Sequence, residues 1–204
     1  MTPETKRLLA CSGALLTIMA LLATPALAHP LIPGVTGYPA LMLHPLLITH
    51  QALALLTAML LIARSPALSR WRTALIFAAT LAMAHVAQGF LPGLFAYYWI
   101  AASALIAAAA GIVVALDPVP PRLALPAIAI LGALIGLDTH GEAPGLWPRM
   151  AAVSAAILTG VALLMLAGFL GGYALPKPLR LLARILAAWI AAATIMILAF
   201  ALRS

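Results

Sequence analysis

Tyr38–Ala63 reads YPALMLHPLLITHQALALLTAMLLIA, an apolar run broken after Tyr38 only by His44, Thr49, His50, Gln51 and Thr57. As one helix it is long enough to cross a hydrocarbon core of about 30 Å. Pro45 lacks a backbone donor, which predicts a kink and releases the carbonyl of Leu41 one turn earlier. Ionisable side chains are costly inside lipid and usually mark a ligand site or a substrate path, so function is expected around His44, His50 and Gln51.

The composition of the whole chain agrees with a membrane setting. Hydrophobic residues make up 66% of the 204, charged residues 7%, and mean hydropathy is +1.17. A water-solvated domain could not keep a polar surface with so few charges. The formal charge of +7 does not point to nucleic acid, because the basic residues are scattered through short loops with no aromatic platform beside them. Cys11 is the one cysteine, which excludes an internal disulfide and a thiolate metal cluster. The expected fold class is all-α: a polytopic membrane helix bundle of six transmembrane helices behind a cleavable signal peptide.

Residues 1–28 have the layout of that signal. Lys6 and Arg7 precede an apolar core, Leu8–Leu22, and Ala26-Leu27-Ala28 forms an A-x-A cleavage site that would leave His29 at the mature N-terminus. Residues 29–204 then form a single six-helix domain. Its spans are expected near 38–63, 73–90, 96–116, 123–137, 149–169 and 185–202, separated by Pro, Gly or charge. Alternating loops place Arg64, Arg70, Arg72, Arg122, Lys177, Arg180 and Arg184 on one side, against Arg149 and Arg203 on the other. The positive-inside rule makes the first side cytoplasmic and the mature N-terminus periplasmic, in the inner membrane of a bacterium.

In a straight first span, His44 would lie about 9 Å and His50 about 18 Å below the outer surface. His44 and Gln51, seven residues apart, would share one wall, with His50 turned about 120° away. His85 and Gln88 share a face of the second span, and Asp138, His140 and Glu142 cluster at the outer end of the fourth. Imidazole suits nickel, copper, zinc or iron, and an oxygen-poor set disfavours calcium and magnesium. The candidate metal ligands are therefore His44, His50, Gln51, His85, Asp138, His140 and Glu142, with Asp138 and Glu142 drawing a cation to the mouth. Gly132-xxx-Gly136 and Gly168-xxx-Gly172 are expected to let helices approach closely.

His44-Pro45-Leu46, with His50 and Gln51 following, resembles the first motif, H-x5-D-H, of the HupE/UreJ family of nickel and cobalt permease-like membrane proteins. His50 stands where the aspartate of that motif would be, and Gln51 where its second histidine would be. The stretch Gly136-Leu137-Asp138-Thr139-His140-Gly141-Glu142 is similar to the family's second motif, F-H-G-x-A-H-G-x-E, with Gly136 in place of the first histidine. The resemblance implies a divergent member: a permease for a divalent cation, nickel first, with cobalt or copper as alternatives. The cation would be cargo and no cofactor would be permanently bound. A metalloenzyme maturation system and the lipid bilayer would be its partners.

A haem-binding electron-transfer or assembly subunit, with histidines from separate helices as axial ligands, is the alternative, and a purely structural bundle is a third. No serine, cysteine or carboxylate pair is placed for chemistry inside the membrane, so an enzyme is not expected.

Overall fold

The computed structural model describes residues 37–88, 90, 98–116, 118–139, 145–172 and 177–203. The signal segment with its cleavage site, the turn at Pro92-Gly93, and the candidate ligands His140 and Glu142 lie outside the described residues. Among those described the chain is all-helical: α1 (Tyr38–Leu47), α2 (Thr49–Ala63), α3 (Arg70–Gln88), α4 (Tyr98–Ala115), α5 (Pro121–Asp138), α6 (Leu146–Gly172) and α7 (Lys177–Ala201). Three of these, α5, α6 and α7, are long and apolar enough to cross a bilayer, and a fourth span is gained if α1 and α2 count as one broken crossing. The apolar stretch of α4, Ala101–Ala115, is shorter, and α3 carries Arg70, Arg72, His85 and Gln88 within its length. Both complete the bundle without matching α5–α7 as spans.

The expected single helix over 38–63 is in fact two. α1 and α2 meet at 81°, and Ile48 at the break is extended (φ −83°, ψ 115°). Pro45 weakens this turn by withholding a donor, but a missing bond alone gives a modest kink. The large angle follows from what holds each half. α1 is fastened to α6: the Tyr38 hydroxyl lies 3.1 Å from Ser154 Oγ, and Thr159 Oγ1 donates to the Met42 carbonyl at 2.8 Å. α2 runs through the middle of the bundle, packed on α1, α4, α5, α6 and α7, with Leu55, Ala58 and Leu61 fully buried. One half follows the periphery while the other fills the centre. Thr159→Val, which deletes the donor to Met42 without changing side-chain volume much, should cost about 1 kcal/mol. A small fall in detergent Tm, with α1 becoming more open to protease, checks it.

Glycines set the closest helix crossings. A Cβ on Gly132 would stand 2.7 Å from Thr80 Oγ1 and 2.9 Å from the Phe77 carbonyl, and one on Gly136 would fall on the Leu81 backbone, so α5 lies directly against α3. Phe77, fully buried, fills the wedge between Gly132 of α5 and Gly160 of α6. On α6, Gly168 of the expected pair meets Ile62 of α2, and Gly171 meets the Ala63 backbone. Large apolar side chains outside these seams, including Leu75 and Met83 on α3 and Trp189 and Phe200 on α7, are more than half exposed. Such contiguous apolar exposure suits lipid rather than water.

The two ends of the bundle differ in charge. At one end Ser65 Oγ donates to the Val119 carbonyl at 3.0 Å, Val119 N donates to the Arg64 carbonyl at 2.9 Å, and Arg184 Nε donates to the Val114 carbonyl at 3.1 Å. Arg70 stacks over Phe169 there, 5.7 Å from the ring centroid. These contacts bring the turn after α2 and the starts of α3, α5 and α7 together, and with them Arg64, Arg70, Arg72, Arg122, Lys177, Arg180 and Arg184. Asp138, His50 and the Tyr38–Ser154 contact occupy the other end.

Candidate functional site

The break at Ile48 decides where the polar groups meet. His50 and Gln51 fall in the first turn of α2, and that turn faces the last residue of α5. His50 Nε2 lies 2.5 Å from Asp138 Oδ2, and Gln51 Nε2 donates to the same oxygen at 2.5 Å. A longer bond of 3.5 Å runs from Gln51 Nε2 to the Asp138 carbonyl. The side chains of His50 and Asp138 are 7% and 14% exposed, and Gln51 is 1% exposed. Thr139, also buried, donates its hydroxyl to the Ile135 carbonyl at 2.6 Å, which closes the end of α5 and fixes the residue before it.

Helix electrostatics explain why Asp138 is tolerated there. A carboxylate on the last residue of α5 sits at the negative end of its own helix, an unfavourable place. The N-terminus of α2 supplies the opposite partial charge, and its first-turn N–H groups have no partner within the helix. The carboxylate bridges the two helix ends, and the side-chain donors of His50 and Gln51 complete its shell. Half-helix ends that meet around polar groups inside an apolar bundle are a general device for holding ions.

One atom of the site is left over. Gln51 Oε1 is buried and has no hydrogen-bond partner among the described residues. A buried carbonyl oxygen without a donor costs free energy, so its persistence beside a carboxylate and an imidazole marks a place where a cation or a proton donor would be stabilising. No family model, curated protein or solved structure matches this chain. The chemistry of the site is therefore read from its own atoms.

The sequence-derived ligand set divides accordingly. His50, Gln51 and Asp138 are brought together. His44 is half-buried near the end of α1, cut off from the expected shared wall with Gln51 because the bend removes the continuous helix that would have aligned them. His85 is half-buried near the end of α3, on the same helix as Gln88. Neither joins His50 and Asp138: among the described residues no three His, Cys, Asp or Glu side chains gather in a metal-holding group. Asp138, expected at an open mouth as an electrostatic lure, is instead a largely buried partner of His50, and His50 is level with the end of α5 rather than deep along a straight helix. Sequence reading did not anticipate Thr139. Its one signal was a hydroxyl directly after a helix-terminal acid.

Proposed function

We propose that the chain is a multi-pass inner-membrane protein that moves a divalent transition-metal cation, nickel or cobalt first, through a site made by His50, Gln51 and Asp138. The observation that carries this reading is the buried pair of imidazole and carboxylate at a helix break, with the Gln51 carbonyl oxygen beside it and without a donor among the described residues. The donor set combines nitrogen with carboxylate and amide oxygen, which suits a borderline divalent cation better than calcium or magnesium. A bound cation would take both side chains in their deprotonated forms, as metal ligands must be. In the HupE/UreJ resemblance the departure at position 50 removes an acid from the first motif, and Asp138 supplies one to the same neighbourhood from α5.

Under this reading the end rich in arginine faces the cytoplasm, and the end holding Asp138 faces the periplasm, from which the cation enters. His44, His85, His140 and Glu142 would serve as approach or exit ligands. The metal would pass to a metalloenzyme maturation system on the cytoplasmic side. The test is uptake of radioactive nickel and cobalt by a host lacking its own transporters. Expression of the wild type should raise uptake and His50→Ala should return it to the background, while Arg203→Gln should not change it. Uptake that His50→Ala leaves intact removes the proposal.

A further inference from the structure

At the end of the bundle remote from Asp138, a groove of about 420 Å³ opens between the start of α3 and the end of α6. Its walls are of two kinds. Ser69 and Arg70 line one part, and Leu68, Trp71 and Phe169 line the rest. The guanidinium of Arg70 is held over the Phe169 ring, so its position is fixed in advance. Trp71 and Phe169 are nonetheless 60% and 47% exposed, far more than aromatic rings that belong to a core.

Exposed apolar side chains continue beside the groove on both helices. On α3, Trp71 is followed at helical spacing by Leu75, and farther along by Met83 and Val86, all strongly exposed. On α6, Leu166 and Leu170 flank Phe169 and are about half exposed. α3 and α6 pack together, and Trp71 and Phe169 bring an exposed aromatic side chain from each helix to the groove. The one acidic residue among those described, Asp138, is at the opposite end, against the seven basic residues gathered here. A groove with a cationic side chain at the basic end, aromatic walls and exposed apolar residues beside it on both helices suits an amphiphile with an anionic head and apolar chains.

We infer that this groove binds the phosphate headgroup of an anionic membrane phospholipid, with Arg70 on the phosphate and the acyl chains along the seam of α3 and α6. The inference rests on the membrane reading of the chain and not on the identity of its cargo. Interfacial Trp and Arg side chains commonly sit at headgroup depth, which places the groove where such a lipid would meet it. Arg72 and Arg122 at the same end raise the local positive potential without lining the groove.

The full chain, purified in detergent, is titrated with phosphatidylglycerol, with phosphatidylcholine and with inorganic phosphate. Saturable binding of phosphatidylglycerol alone is expected. Arg70→Gln should weaken it about fivefold, the usual size for one juxtamembrane cation. Arg203→Gln, at the opposite end, should leave it unchanged. Equal binding of phosphatidylcholine would overturn the inference, as would equal binding of inorganic phosphate, an unaltered affinity in Arg70→Gln, or the same loss in Arg203→Gln. If Arg70→Gln does not fold, Trp71→Ala decides the matter: weaker phosphatidylglycerol binding supports the site and unchanged binding overturns it. Alkaline washing of membranes tests the underlying reading separately. Release of the chain would overturn both, whereas retention with failed lipid binding would overturn the groove alone.

Discussion

Asp138→Asn is expected to abolish metal uptake while the protein still folds. Asparagine has nearly the same shape, and its Oδ1 can accept from both His50 Nε2 and Gln51 Nε2, as Oδ2 of the aspartate does now. The bridge between α2 and α5 would survive. What disappears is the negative charge. At about 4 Å and an effective dielectric near 20, one unit charge attracts a divalent cation with about 8 kcal/mol, so cation affinity should fall by well over a thousandfold. Asp138→Ala differs in kind, because it strands two buried donors and should also lower stability, by about 3 kcal/mol. Uptake and detergent Tm measured together separate the two variants: Asn with normal Tm and no uptake, Ala with both reduced. If Asn transports as well as the wild type, the carboxylate is a strut between helices, and its charge plays no part in moving a cation.

The helices themselves were legible because lipid leaves so few alternatives. Apolar runs bounded by Pro, Gly and Arg gave the segments over 123–137 and 149–169 to within a few residues of α5 and α6, and Arg64, Arg70, Arg72, Arg122, Lys177, Arg180 and Arg184 do collect at one end of the bundle, away from Arg149. The bend at Ile48 was not legible in its size. Pro45 announces a lost bond, but 81° depends on Ser154 and Thr159, residues more than a hundred positions away that hold α1 against α6. The site inherited that error. A straight helix pairs His44 with Gln51, whereas a broken one turns the adjacent residues His50 and Gln51 toward a single oxygen. Asp138 was picked out as chemically important, but its partner lies 88 positions away, and nothing local in the sequence encodes that contact.

Gly136→Ala should be the most damaging single-methyl change in the chain. Its Cβ would land on the carbonyl group of Leu81, and backbone atoms cannot swing aside as a flexible side chain can. Separating α5 from α3 to make room would also disturb Gly132 against Phe77 and the wedge that ring makes with Gly160. Overpacking of this kind costs about 3 kcal/mol, and the displaced end of α5 carries Asp138 with it. Gly111→Ala is the internal control. It lies in α4 with nothing within 4 Å of the added methyl, and removing a helical glycine there should stabilise by about 0.5–1 kcal/mol. The two variants should shift Tm in opposite directions, and Gly136→Ala should lose uptake as well. Equal Tm values would mean that α3 and α5 are not in contact at this point. The same crowding bears on the proposed metal site. Position 136 is where the HupE/UreJ motif has a histidine, and an imidazole cannot enter a space that refuses a methyl. Under the proposed function, a cation would therefore rely on His50, Gln51 and Asp138 and not on a ligand at position 136.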